Sequence, residues 1–358
     1  MVLYSTARGG ALPGQLTKLG QDQMYIKGRL LRQQYIEEAS LLEPEFNPEQ
    51  VYIRSTNIKR TIATARCILA GMYGRDNLNK LPKAPVIHVE RLEVDPLIPQ
   101  TGSCRTLRQI NHAAMIHGGD IPGIKEDRLL VEELLGIKEP DSDKKHKINF
   151  IDIRDDIAAR ETHGLLEVKS LAPLREVIEI NASKVMFFAF CGQHEAEQQV
   201  AMQLSTGPVL KMLIETIDSS ENDRTKFYLY SCHDSTLVGL LGALDVYDYQ
   251  WPPFGADIRL EVYRRDGNQF IRVSYNGKDV KVRGCSSELC PFEEFKEAMG
   301  PYVINESQFR QICDSNILEE IAQASGVDTS KTEEMLAQEK DEEEDEETAK
   351  RSDTPAGM

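Results

Sequence analysis

The chain has 358 residues, enough for two ordinary domains or for one large domain with an insertion, and its 41% apolar content can furnish a large core. No run approaches the eighteen or so uninterrupted apolar residues of a membrane span. A net charge of −16 excludes the basic profile of a dedicated nucleic-acid binder. The opening residues, MVLYSTARGGALPG, hold no apolar core of signal-peptide length. Seven scattered cysteines without zinc-finger spacing, only Cys285 and Cys290 being close, read as reduced structural thiols.

In chain order, residues 14–39 read as an amphipathic helix, because Leu16, Gly20, Met24, Gly28, Leu31 and Tyr35 recur on one helical face. Pro44 and the Phe46-Asn47-Pro48 triplet end it. A short β-branched and aromatic strand follows at Val51–Ile53, then a helix through Ile62, Ala65 and Leu69 with Thr56 as its expected N-cap. The run PVIHVE at 85–90 reads as another strand. Residues 96–172 change in texture: rich in Arg, His, Asp and Lys, with helical stretches at DRLLVEELLGI and IDIRDDIAARE, they read as a helical insertion. Amphipathic helices resume from about 194. FYLYS at 227–231 is a buried-type strand, followed by a helix over 236–244. Ile258, Leu260 and Val262 alternate with Arg259, Glu261 and Tyr263, and Asp266-Gly267 and Asn276-Gly277 are strong hairpin turns. Residues 331–350 carry ten acidic and three basic side chains, or −7, leaving −9 for everything else. Such a run repels itself and cannot bury apolar area, so 331–358 is expected to be a disordered, solubilising tail.

Two strand ends carry chemistry. Arg54 follows one strand and His233-Asp234 the other, each where a helix starts. Ligands of open α/β sheets bind outside the carboxyl ends of the strands. If the two strands are neighbours, Arg54 and His233 share one crevice with two helix N-termini, a combination suited to an anion. An acid beside bound phosphate is held protonated by the like charge, so Asp234 could donate a proton to a departing alkoxide. Each residue alone has a plainer reading, Asp as a helix cap and Arg as a surface ion-pair partner; the shared placement is what singles them out.

VYIRSTNIKRTIATA followed far downstream by LYSCHDSTL resembles the histidine acid phosphatases. GQLTKLGQDQM, FNPEQVYIRSTNIKRT, WPPFGADIRLEVY and RGCSSELCPFEEF resemble the same family in the same order, over most of residues 10–315. The resemblance implies that Arg54 and His233 bind phosphate and that Asp234 is the general acid. It implies hydrolysis of a phosphomonoester through a phosphohistidine, with no metal or cofactor. It also implies a small phosphorylated substrate, a lysophospholipid (lysophosphatidic acid yielding monoacylglycerol), and an intracellular, mitochondrial location, with no nucleic acid or membrane span involved. Oligomeric state is not legible.

One part of the family pattern has no counterpart. The family nucleophile lies in an Arg-His-Gly-x-Arg motif on an early strand, whereas here Arg8-Gly9 lacks the histidine, and His88, His112, His117, His146, His163 and His194 lie in unlike contexts. The expected fold is therefore α/β, a phosphoglycerate-mutase-like open sheet lacking the early nucleophile-bearing strand, with a hydrophobic slot between unpaired strand edges in its place. Residues 1–95 and 173–315 form the expected core, 96–172 the helical cap, and 316–330 a C-terminal helix. Two other readings stay open: a non-catalytic relic that binds phosphate or a partner protein through the same cleft, and a member of the related phosphoglycerate-mutase-like group with a different phosphorylated substrate.

Overall fold

A computed structural model describes residues 14–118, 121, 123–137, 148–165, 172–220 and 223–325. The acidic segment expected to be a tail lies outside them. Helix α1 (Lys18–Arg32) runs into a π-helical turn (Gln33–Glu38) and is followed by β1 (Val51–Ser55), α2 (Lys59–Tyr73) and α3 (Arg75–Asn79). Between 96 and 172 the described residues form α4 (Arg105–His117), α5 (Ile124–Leu134) and α6 (Phe150–Thr162). Helices α7 (Arg175–Cys191), α8 (Glu195–Ser205) and α9 (Gly207–Ser219) lead into β2 (Phe227–Ser231) and α10 (Asp234–Ala243). The strands β3 (Ile258–Arg265), β4 (Asn268–Tyr275), β5 (Lys278–Val280) and β6 (Leu289–Pro291) come next, then α11 (Phe292–Met299), α12 (Glu306–Cys313) and α13 (Ile317–Ser325).

The first helix begins where its sequence allows. The Thr17 hydroxyl accepts from the Gly20 amide, and Met24, Gly28 and Leu31 turn inward on the expected face. Glycines let α1 and α2 touch backbone to backbone. A Cβ on Gly28 would stand 2.1 Å from the Ile68 carbonyl oxygen, and one on Gly71 2.1 Å from that of Tyr25. This packing fixes α2, and with it the residues that follow β1.

β1 and β2 pair in parallel, with Arg54 opposite Tyr230 and Ser55 opposite Ser231. The remaining strands form a separate antiparallel sheet in which β4 pairs with β3, β5 and β6. Its two hairpins turn at Asp266-Gly267 and Asn276-Gly277, all four residues having positive φ, as tight two-residue turns demand. Among the described residues, the outer edges of β2 and β3 have no strand partner, and both strands line one cleft of about 1880 Å³. Helix α1 with the π-helical turn that follows it closes one side of this cleft and α9 another: Tyr35 of that turn donates to Glu261 of β3 at 2.7 Å, and Thr216 of α9 lies 3.3 Å from the Tyr230 hydroxyl of β2. The main core joins Phe150 of α6, Ile178 and Phe187 of α7, Leu240 of α10 and Ile271 of β4.

Several expectations from sequence are corrected. Thr56 caps no helix: α2 starts at Lys59 after Ile58, and Thr56 is fully buried. Residues 85–90 make only a single bridge, His88 to Arg54. Pro85 lacks a ladder donor, and Val86 and Val89 find no cover, so nothing extends the pairing. FYLYS is half-buried rather than buried until Ser231, because its free edge faces the cleft. Four of the seven cysteines are not thiols. Cys104 is bonded to Cys313 and Cys285 to Cys290, while Cys67, Cys191 and Cys232 are free. Sequence spacing could not pair 104 with 313, which meet only because α12 packs beside the start of α4.

Candidate functional site

The parallel register brings the ends of β1 and β2 level, so the segments leaving them, Thr56–Arg60 and Cys232–Asp234, meet at one end of the cleft. The two ends are tied together. The Thr56 amide donates to the Ser231 carbonyl at 3.1 Å, and the Ser231 hydroxyl to the Thr61 carbonyl at 2.8 Å. On the other side, the Thr236 hydroxyl donates to the Leu97 carbonyl at 2.7 Å, pinning α10 to the segment after Asp95.

His233 is the N-cap of α10 and is held at both ring nitrogens. Its Nδ1 lies 3.2 Å from Arg60 Nη2 and its Nε2 3.0 Å from Thr56 Oγ1. A guanidinium can only donate, so Nδ1 is the acceptor and the neutral ring carries its proton on Nε2. That proton goes to Thr56 Oγ1. The Thr56 hydroxyl must then donate to Thr61 Oγ1 at 2.8 Å, and Thr61 in turn to the Ile58 carbonyl at 2.9 Å. One arginine thus sets the proton order of three side chains, His233, Thr56 and Thr61. Burial, then the Arg60 charge, hold the His233 pKa below its ordinary value, against the opposing pull of Asp234 and Asp95.

Asp234, the first residue of α10, lines the cleft beside His233 and accepts from the Ser235 amide at 2.9 Å. Cys232, between the strand and the histidine, is half-buried at the cleft, and loss of water pushes its thiol up to about 11, which leaves little of it as thiolate.

Arg54 is placed differently. It is not among the cleft-lining residues, and its Nη2 donates to Asp95 Oδ1 at 3.0 Å, with the Asp95 side chain fully buried. Asp95 Oδ1 also accepts from the Leu97 amide at 3.1 Å. The pair is half made: Arg54 Nε and Asp95 Oδ2 are buried without a hydrogen-bond partner among the described residues. The structure therefore brings His233, Asp234 and Arg60 onto one cleft wall and sets Arg54 just behind, linked through Asp95, whose charge reaches His233.

Sequence reasoning missed Arg60, Asp95 and the role of Thr56. Arg60 was findable, since it lies in the first helical turn after a chemistry-bearing strand end. Asp95 was not, because it sits in irregular structure 41 residues from Arg54 and no local pattern marks it. Among the described residues, no three His, Cys, Asp or Glu side chains gather as a metal-ligand set.

An arginine, a histidine and two helix starts at one cleft end can bind an anion, and a carboxyl beside them can move a proton to or from it. Comparison with known proteins leads to the same chemistry. Residues 3–115 and 181–276 match the histidine phosphatase superfamily (branch 2). The chain is 33% identical over 327 residues to lysophosphatidic acid phosphatase type 6 of Mus musculus, covering 89% of this chain and 75% of that protein. It is 24% identical over 313 residues to prostatic acid phosphatase of Bos taurus, covering 81% and 77%. Among solved structures, the apo phytase of Hafnia alvei superposes with a TM-score of 0.59 at 14% identity, covering 87% of this chain and 93% of that one. The phytase of Klebsiella sp. ASR1 gives 0.58 at 17%, covering 81% and 85%. The fold is shared with these phytases, and the family match spans more than half of the sequence, with a relative at one-third identity over most of its length; the chain belongs to the histidine phosphatase superfamily, branch 2.

Proposed function

We propose that this chain is built to hydrolyse a phosphomonoester, with lysophosphatidic acid as substrate and monoacylglycerol and phosphate as products. The observation that carries this reading is the meeting of His233, Asp234 and Arg60 at the level ends of two parallel strands. In this reading the phosphoryl group sits against Arg60 and His233, with Arg54 contributing charge from behind, and Asp234 protonates the leaving alkoxide. The attacking imidazole implied by the family pattern has no counterpart in this sequence. We place it on a further strand seated between the free edges of β2 and β3, where two strand edges and the helices α1 and α9 would enclose it as they enclose any central strand of a layered α/β fold. An intracellular, mitochondrial setting belongs to the same proposal; it must then be one in which two disulfides persist.

The test compares the chain alone with the chain extended at its N-terminus by a strand bearing Arg-His-Gly-x-Arg. Both are assayed at acidic pH against a lysophosphatidic acid and an activated aryl phosphate. Inorganic phosphate should bind both. Turnover by the chain alone should be slow or absent, and the extension should raise it by orders of magnitude, since losing a nucleophile that acts within a unit costs on the order of 10⁶ in rate. In the extended protein, Asp234→Asn should slow the lipid far more than the aryl phosphate, whose leaving group needs no proton. Ordinary enzymatic rates and a phosphohistidine in the unextended chain would show that the nucleophile already lies within it. Failure of phosphate to bind would remove the site.

A further inference from the structure

A second carboxylate lines the same cleft as Asp234. The residue is Asp155, on α6 of the helical segment, and the two lie close enough for the Asp234 charge to act on it. Asp155 is held from behind. Arg154 donates through Nη1 to Asp155 Oδ1 at 3.1 Å. The Arg154 guanidinium is itself fixed, with Nε 3.2 Å from both Glu179 oxygens, Nη2 3.1 Å from Oε1, and the Trp251 ring 4.6 Å below. Only 8% of the Arg154 side chain is exposed, whereas Asp155 keeps 57%. Its Oδ2 makes no hydrogen bond among the described residues. The cleft wall still withdraws enough water to raise its carboxyl pKa, a shift that Arg154 opposes and Asp234 reinforces.

The placement fits no part of a phosphate seat. A carboxylate next to a phosphoryl dianion is repelled by it, so Asp155 must meet what lies beyond the leaving oxygen, the alcohol portion. There a fixed oxygen acceptor suits a hydroxyl. Arg154 divides its charge between Glu179 and Asp155, so Asp155 keeps part of its own negative charge while its free oxygen accepts from hydrogen-bond donors.

We propose that Asp155 is a specificity residue: it accepts a hydrogen bond from a hydroxyl on the alcohol portion of the phosphomonoester and, by its charge, turns away alcohols that carry a second phosphate. This rests on the phosphomonoester reading above. It assigns the helical segment a definite task, selection of singly phosphorylated polyols.

The experiment is calorimetric binding, which needs no turnover. The full chain and its Asp155→Ala and Asp155→Asn variants are titrated with inorganic phosphate, ethyl phosphate, glycerol 1-phosphate and glycerol 1,3-bisphosphate, with a thermal melt confirming that each variant is folded. Asp155→Ala should weaken glycerol 1-phosphate roughly tenfold relative to ethyl phosphate, as loss of a hydrogen bond to a charged acceptor does. Asp155→Asn, which keeps an acceptor oxygen, should lose less. Both variants should bind the bisphosphate several-fold more tightly and leave inorganic phosphate within about twofold. An unchanged ratio of glycerol 1-phosphate to ethyl phosphate in Asp155→Ala overturns the proposal, as does an equal weakening of all four ligands, which would mark a purely structural role. If the unmodified chain binds no inorganic phosphate, the phosphate seat itself is wrong; if it binds phosphate with no preference between the two esters, only the assignment to Asp155 fails.

Discussion

Replacing Asp95 by alanine strips Arg54 of its one charged partner among the described residues while leaving the guanidinium where it is. The Asp95 side chain is completely buried and that of Arg54 is 18% exposed, so water can replace the lost carboxylate only in part. Removing one member of a buried pair costs about 3–5 kcal/mol, because the other charge stays behind unpaired. A folded body of about 300 residues has an unfolding entropy near 0.6 kcal/mol/K, so Tm should fall by about 5–8 °C. Asp95→Asn, which still accepts from Arg54 and from the Leu97 amide, should lose less than half of that. The double variant Asp95→Ala with Arg54→Met should be more stable than Asp95→Ala alone, because the stranded charge is gone. Calorimetric melts of the four proteins decide it. A Tm within 1 °C of the original for Asp95→Ala, or a double variant that melts lower than Asp95→Ala, would refute the view of Asp95 as the counter-charge that keeps Arg54 behind the cleft.

Four other outcomes are expected. His233 has a lowered pKa in the folded chain against about 6.5 unfolded, so between the two values the unfolded state holds more protons and stability rises with pH; the contribution of the neutral ring is present above pH 6.5 and is lost as the pH falls below it. Bound phosphate favours the charged ring, so phosphate binding near pH 6 should take up protons, seen as a dependence of binding heat on buffer ionisation enthalpy; zero uptake contradicts the tautomer argument. Arg60→Gln should raise the His233 pKa and weaken phosphate binding together, and an NMR titration of the ring that stays in place would count against Arg60 as the cause. Cys104→Ser should destabilise more than Cys285→Ser, since the bonds close loops of 209 and 5 residues, worth at most about 5 and 2 kcal/mol in chain entropy; denaturation that ranks them the other way would exclude loop closure as the dominant effect.

Legibility from sequence followed the range of the interactions concerned. The helix face through Met24, Gly28 and Leu31 and the two hairpin turns were legible because periodicity and turn chemistry are local. Both chemistry-bearing strand ends were legible for the same reason, and family resemblance added their pairing. What escaped depends on contacts between distant segments. Thr56 reads as a cap from its neighbours alone, but the arrival of His233, 177 residues later, takes its hydroxyl. The strand expected at 85–90 has the right residue types and lacks only a surface to bury them against. The long-range disulfide and Asp95 are products of the assembled fold, with no signature within any short window.

The bond between Cys104 and Cys313 divides the molecule topologically. It turns everything between them into a closed ring, within which lie β2, His233, Asp234, Asp155 and Arg154, while β1, Thr56, Arg60, Arg54 and Asp95 belong to the open arm that precedes it. The contacts that bring the two halves of the anion seat together, the β1–β2 ladder and the Thr56–His233 and Arg60–His233 bonds, therefore join arm to ring. A protease cut inside the ring would leave its pieces covalently joined, visible as one species until reduced. A cut in the arm between Arg60 and Asp95 would leave β1, Thr56 and Arg60 held to the ring by non-covalent contacts alone. The site is thus formed by docking of one segment onto another, a step of high sequence separation that should come late in folding.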